Sequence, residues 1–361
     1  MPITFGQPGG SQITKNFDAL FAQSLANYSK KMVDNVSTSL TLFYELKKRG
    51  LIETISGGLY IAEDLMYALG QFDAYDGYDE LGDTPIDGIT QVHYQWRQGA
   101  VPISYSMKEV KQNKQRLHSL VKSKIMQAEM GFKEGFIRAF LQGALSQSPG
   151  NSILNPFISP SNGALFIEPL PSLVSFDVTA SREIGNLNQA TYSWWRNQTR
   201  QSAATNYTSF LLEFDNMYNL CSRGPGGEPT LIWTDQTTYE LLNAAYYFRY
   251  RTMAGNNGNY PFDNIKFRNA TVVWDQYMPD VFSNSGAGLD NTNTWGTAYF
   301  LNPDFFRLKV EEDTNFTMTE FQKPPKGDSR LAHILFMGQT TINNRRKHGV
   351  IGRIPRTLTA S

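Results

Sequence analysis

The sequence predicts an α+β chain organised around one very long amphipathic helix. Three patterns carry that expectation: an apolar stripe of helical period from about residue 113 to 145, a strand-rich acidic stretch directly before it, and alternating strand and helix patterns after residue 223. At 361 residues the chain makes one elaborate domain or two, with room for a substantial core. Apolar residues at 40% exclude disordered and collagen-like classes. The 33 basic residues balance 33 acidic ones, which argues against a dedicated nucleic-acid binder. Cys221 is the one cysteine, so neither an internal disulfide nor a cysteine zinc site is available.

Taken in order, the glycine- and proline-bearing first dozen residues read as a tail. Phe17, Leu20, Phe21, Leu25, Tyr28 and Met32 then recur at helical spacing, and Leu40, Phe43, Tyr44 and Leu46 continue it up to a Lys47-Lys48-Arg49-Gly50 stop. Leu51–Ile55, Leu59–Met66 and Val92–Tyr105 carry strand residues, and a Gly/Asp-rich loop separates the last two. From Gly50 to Trp96 there are nine acids (Glu53, Glu63, Asp64, Asp73, Asp76, Asp79, Glu80, Asp83, Asp87) and no Lys or Arg. A two-stranded arm of this kind does not stand alone in water and must dock on something.

The stripe Leu117, Val121, Ile125, Ala128, Phe132, Phe136, Phe140 and Ala144 predicts a helix over 113–145, a rod of roughly 50 Å. Its flanks from Lys108 to Arg138 hold eight basic residues (Lys108, Lys111, Lys114, Arg116, Lys122, Lys124, Lys133, Arg138) against three acids. Gly131 and Gly135 cost helix propensity mid-rod, and close packing against another backbone is the expected reason. Strand candidates follow at Ala164–Ile167 and Ser172–Val178, and Ala190–Arg196 with Trp194-Trp195 is ambiguous. A helix is expected near Ser209–Leu220, and Arg223-Gly-Pro-Gly-Gly-Glu-Pro229 reads as a boundary. Thr230–Thr234, a helix over Thr237–Arg251 and Ala270–Trp274 form a compact α/β unit. Ala298–Leu301, Phe305–Val310 and Phe316–Phe321 read as strands, and Ala332–Ile354 as one long extended pattern. No 20–50-residue repeat is visible.

Catalytic signals are sparse. The sequence has no nucleophile elbow, no His-Glu-x-x-His, no phosphate loop and no dinucleotide fingerprint, so no catalytic, metal or cofactor residue is assigned. His93, His118, His333 and His348 are scattered, and Cys221 reads as a buried inert thiol. The loop Asp73–Glu80 lacks the alternating carboxylates and terminal Glu of an EF-hand. Glu63-Asp64 and Glu311-Glu312-Asp313 are the material for a glycosidase pair, and Trp194-Trp195 for a sugar platform. A carbohydrate-active hydrolase or binding module is therefore the rival class. The basic residues Arg330, Arg345, Arg346, Lys347, Arg353 and Arg356 suit either phosphates or a polar strand face that meets a neighbour's acids. No segment reaches the length of a membrane span and no signal-peptide core is present, so the six Asn-x-Ser/Thr sequons read as accidental and the chain as made in the cytosol.

The order of parts, with YSKKMVDNVSTSLTLFYELKKRGLIETISGGLYIAEDLMYA (28–69), KIMQAEMGF (124–132) in the long helix and HILFMGQTTINNRRKHGVIG (333–352), resembles the major capsid proteins of tailed bacteriophages, the Hong Kong 97-like fold. The resemblance implies an N-terminal arm (1–49), an extended loop (50–106), a peripheral domain (107–223 with spine helix 113–145, plus a return of 330–361) and an axial domain (224–329). It also implies a non-enzymatic subunit that joins copies of itself as pentamers and hexamers around double-stranded DNA, made in host cytoplasm and ending in the virion. A portal protein, separate scaffolding and decoration proteins and non-specific DNA contact complete the implied partners, with no membrane and no cofactor. Some members crosslink a Lys to an Asn, but the extended loop here has no lysine between Gly50 and Trp96, so assembly without covalent bonds is expected. No long scaffolding-type segment stands before the arm, so that function falls to a separate protein or to none. The anionic loop and cationic helix make a self-complementary pair. The expected contacts are Asp73, Asp76, Asp79, Glu80, Asp83 and Asp87 of one copy against Lys108, Lys111, Lys114, Arg116, Lys122 and Lys124 of the next.

Overall fold

In a computed structural model, the apolar stripe and the alternating strand patterns resolve into one long helix and two sheets. The structure describes residues 46, 48–70, 72, 74, 76–78, 87–112, 120–142, 167–253, 265–278, 280–281, 289–290, 295–325 and 327–359. The tail and helical expectations over 1–45, the helix ends at 113–119 and 143–145, and Asp73, Asp79, Glu80, Asp83, Lys114 and Arg116 lie outside the described residues.

The spine helix, Leu120–Gln142, buries Ala128, Phe132, Phe136 and Phe140, one residue every four. These phenylalanines meet rings from elsewhere in the chain. Phe132 packs edge-on against Phe316 at 5.1 Å, and Phe136 against Phe336 at 5.2 Å. Phe140 reaches Phe306 at 5.9 Å and Trp233 at 6.4 Å, so one side chain touches both sheets. The short helix Met107–Gln112 precedes the spine. A capping box opens it: Ser106 Oγ accepts the Glu109 amide and Glu109 accepts the Ser106 amide, both at 3.2 Å.

The first sheet has five strands. Ile52–Ile55 runs parallel to Phe306–Glu311, which is antiparallel to the long strand Ser329–Ile342. Arg97–Ser106 pairs all ten of its residues with the first part of that long strand, and Thr317–Met318 pairs with it also. Alternation with period two turns Ile103, Ala332, Ile334 and Phe336 into the core that the spine helix shares.

The second sheet runs in the order Gln198–Gln201, Gly349–Ile354, Gly296–Leu301, Leu231–Thr234, Ala270–Trp274, Lys266–Phe267. Leu231–Thr234, the helix Gln236–Met253 and Ala270–Trp274 form the expected α/β unit, and the structure pairs its two strands in parallel as a βαβ motif. Its two central strands are buried at every position because both faces are covered. Ile232, Val272, Ala298, Phe300 and Ile351 face Gln236–Met253 and the helix Tyr207–Ser222, while Leu231, Trp233, Tyr299 and Val350 face the spine-helix core. The sheet is therefore a middle layer. Within the stretch 224–329, strands 306–311 and 317–318 pair in the first sheet, while 198–201 and 349–354 join the second.

Several local expectations change. No strand forms over Ser172–Val178; its first two residues end a helical turn, Leu170–Leu173, in which Pro171 sits where a proline suits the start of a helix. The Val92–Tyr105 pattern is two strands, Ile89–Tyr94 and Arg97–Ser106, and Phe316–Phe321 contributes only Thr317–Met318. The extended pattern Ala332–Ile354 breaks at the single turn Arg345–Lys347, where the chain leaves one sheet for the other. Gly131 does not serve close packing within the subunit, since a Cβ there meets nothing within 4 Å.

Gly349 shows the opposite. A Cβ there lies 2.5 Å from Met217 Sδ and 2.7 Å from Cys221 Sγ, where the helix Tyr207–Ser222 presses on the sheet. Gly349→Ala is expected to destabilise the subunit by about 1–3 kcal/mol in urea unfolding, whereas Gly131→Ala is expected to stabilise the isolated subunit by roughly 0.5–1 kcal/mol.

Candidate subunit-contact site

The acidic stretch folds as an arm hairpin, Ile61–Met66 against Ile89–Tyr94, in a register that sorts its side chains by face. Ile61, Glu63 and Leu65 share one face with Thr90, Val92 and Tyr94, while Ala62, Asp64 and Met66 share the other with Ile89, Gln91 and His93. The first face is the root. Ile61, Leu65, Val92 and Tyr94 are buried against the subunit's own body, and the Tyr94 hydroxyl donates to the Ile342 carbonyl at 2.7 Å. Lys309, buried in the middle of a sheet strand, reaches Glu63 at 2.5 Å and Glu53 at 3.9 Å, and Thr341 Oγ1 donates to Glu63 at 3.2 Å. Tyr67 stacks on Trp194 at 5.0 Å. The expected docking of the arm is thus met at its base by the same chain.

The remainder of the arm has apolar surface that is left exposed among the described residues. Met66 and Ile89, cross-strand neighbours on the outer face, are 71% and 69% exposed, and Phe72 and Tyr78 beyond them are 92% and 105% exposed. A lone exposed apolar side chain is ordinary; four of them along one projecting hairpin mark a contact surface. Asp64 on that outer face is held by Gln91 at 2.7 Å, and Asp76 and Asp87 are exposed. Opposite charge is presented at the start of the spine region, where Lys108, Lys111 and Lys122 are exposed. Lys124 is engaged at home, with its ammonium 2.9 Å from Glu109 and 3.1 Å from the Ser104 carbonyl. Burial opposes ionisation of Glu109, yet the hydrogen bonds from Lys124 and Ser106 hold its carboxyl below the usual range.

The basic C-terminal segment fits neither of its two expected uses in full. Arg345 is 1% exposed and has no carboxylate partner among the described residues; its guanidinium donates to the carbonyls of Leu173 and Trp195 and to the side chains of Gln189 and Asn197, at 2.9–3.1 Å. Burial pulls its pKa down to about 9. Lys347, also buried, donates to the carbonyls of Gly224 and Gly227, fastening the Gly-Pro-Gly-Gly boundary loop. Arg356 pairs with Asp235, the buried carboxylate that accepts the Thr238 amide at the start of Gln236–Met253. These three serve the fold. Arg330, Arg346 and Arg353 remain exposed.

Three of the residues behind the hydrolase rival are also engaged. Glu63 is paired to Lys309, Trp194 is covered by Tyr67, and Trp195 is buried with its indole donating to the Ile184 carbonyl at 3.0 Å. Cys221 is buried, and burial raises its thiol to about 12. His348 is buried too, its pKa pushed down to about 3 by burial and by nearby Arg345. Among the described residues no cluster of three His, Cys, Asp or Glu is placed to hold a metal, and no helix is long and apolar enough to cross a membrane. Sequence reasoning missed Lys309, and it named Arg345 among the basic C-terminal residues without its interior role. Lys309 left no local signal, since in FRLKVE (306–311) it takes its place with Arg307 and Glu311 in a regular alternation of apolar and charged residues.

No protein-family model and no curated protein matches the chain. Solved structures do. The Cyanophage A-1(L) capsid asymmetric unit aligns over 91% of this chain and 97% of its own, with a TM-score of 0.58 and 14% identity. The capsid of a native GTA particle aligns over 92% and 96%, at 0.55 and 8%. The chain has the Hong Kong 97-like capsid fold. A third structure of similar shape is the holo-SrpI encapsulin complex from Synechococcus elongatus PCC 7942, over 95% and 97%, at 0.52 and 8%. Chains of this Hong Kong 97-like shape thus match from end to end while sharing few residues, so the arm root must be tested in this sequence itself. Lys309→Met leaves Glu63 unpaired at the root. Limited proteolysis is expected to cut the arm at least about tenfold faster than in wild type, with the thermal transition of the body little changed.

Proposed function

We propose that this chain is the major capsid protein of a tailed bacteriophage, a non-enzymatic subunit that assembles without covalent crosslinks into an icosahedral shell around double-stranded DNA. The observation that carries the reading is the arm hairpin: a root locked by buried contacts, then exposed Met66, Ile89, Phe72 and Tyr78 beside a row of acids. A surface of that kind is satisfied by another subunit, and the fold supports the same conclusion. In the shell, the arm of one copy lies on the next with its acids toward Lys108, Lys111 and Lys122, while Lys124 keeps its own Glu109. Each such pair contributes about 0–1 kcal/mol, so apolar contact supplies strength and charge selects register.

In this reading residues 1–49 are the N-terminal arm and 50–106 the extended loop. The peripheral domain spans 107–223 with the C-terminal return, and the axial domain lies within 224–329. The sheet pairings favour giving 306–318 to the peripheral unit, and 198–222 and 349–354 to the axial one. Copies gather as pentamers and hexamers, with a portal protein at one vertex and a virion as the final location. Exposed Arg330, Arg346 and Arg353 are the C-terminal cations open to a phosphate backbone. The encapsulin likeness favours a second reading, the same kind of shell with a protein cargo in place of DNA.

Negative-stain microscopy and sedimentation of the purified full-length chain should show closed particles of many copies; a monomer at every concentration and salt would overturn the reading. Nucleic acid or protein recovered from particles made in cells separates the two shell types. Met66→Asp with Ile89→Asp is expected to abolish particles while circular dichroism and the thermal transition of the subunit stay unchanged. Asp87→Lys is expected to slow assembly by about tenfold or less, with partial recovery on adding Lys108→Glu.

A further inference from the structure

Asp275 ends the strand Ala270–Trp274 at the junction of the six-stranded sheet with the spine helix, and it is 4% exposed. Its amide donates to the Thr234 carbonyl at 3.0 Å, and its Oδ1 accepts the Tyr277 amide at 2.9 Å, closing a turn that carries buried Met278 into the core. The same turn presents the Tyr277 hydroxyl to Glu134 of the spine helix at 2.7 Å. Arg138, one helical turn on, donates to Glu134 at 2.9 Å and lies 4.4 Å over the Tyr277 ring. This turn is therefore a direct link between sheet and spine.

The ionisable groups that flank Asp275 are committed elsewhere. Glu134 and Arg138 from the spine helix hold each other and Tyr277. Asp235, at the end of the neighbouring parallel strand, is held by Arg356 from the C-terminal segment and by Thr238 and Thr297. Among the described residues no cation forms an ion pair with Asp275, which leaves a buried carboxylate with one amide to stabilise its charge. Burial dominates, and the carboxyl is pushed up to about 6.

We propose that Asp275 is a proton-operated latch between the spine helix and the six-stranded sheet: protonated, it keeps the 275–278 turn closed and Tyr277 on Glu134, and ionised, it drives the turn to open into water. Opening returns the carboxyl to an ordinary environment, near 3.9 for an unburied aspartate. The closed turn therefore binds more protons than the open one, so closure is favoured in acid and is lost as pH rises from about 4 through 6. Above that range the effect is constant.

Hydrogen exchange on the full-length subunit, expressed as protection factors so that intrinsic rates drop out, tests the latch. Protection of the 275–278 amides is expected to fall about tenfold between pH 5 and pH 8, with a parallel fall across the spine helix around Glu134. Asp275→Asn, which keeps the acceptor oxygen but cannot ionise, is expected to abolish the pH slope at both places. Tyr277→Phe is expected to keep the slope in the turn and lose it in the spine helix. A flat wild-type profile, or an equal slope in Asp275→Asn, overturns the proposal. The measurement is made on subunits and so stands or falls separately from shell assembly.

Discussion

The fold depends on the packing of the spine helix against two sheets at once. A helix has one apolar stripe, and here that stripe is wide enough to be shared: Phe132 and Phe136 go to rings of the five-stranded sheet, while Phe140 also reaches Trp233 in the six-stranded sheet. Each ring is buried by residues far away in sequence, so neither sheet has a complete core without the helix. The hydrophobic effect that folds the subunit is also the force that fixes the angle between its two parts. Polar contacts then trim the junction, as where Tyr277 meets Glu134 and Arg138.

Much of this was legible in the sequence because periodicity reports burial directly. The stripe from Val121 to Phe140, the α/β unit around Gln236–Met253 and the first strand of the arm all follow from local pattern. Pairing across long separations was not legible. Nothing local says that Phe306–Glu311 lies between Ile52–Ile55 and Ser329–Ile342, since any alternating strand pairs as well in principle. The turn at Arg345–Lys347 was hidden for another reason: three cations in a row look like a solvated face, and only the surrounding carbonyls make two of them interior. The arm showed both limits. Its composition announced a projecting acidic hairpin, but the split into a home-docked root and an open remainder rests on Lys309, one residue some 250 positions away.

Charge in this molecule therefore has two distinct uses. Where cations meet backbone carbonyls or carboxylates in the interior, as with Arg345, Lys347 and Lys309, they hold loops and strands in one arrangement, and removing one strands the polar groups around it. Where charges stay in water, on the arm and at Lys108 and Lys111, each is weak alone. A net charge of zero conceals this division.

The strand that changes sheets at Arg345 has a consequence for the order of events during synthesis. Ser329–Ile342 lies between its partners in one sheet, and Gly349–Ile354 lies between Gln198–Gln201 and Gly296–Leu301 in the other. A nascent chain that has not yet released residue 354 from the ribosome still lacks an inner strand of the six-stranded sheet. Translation itself thus delays completion of that sheet until Gly349–Ile354 has been made.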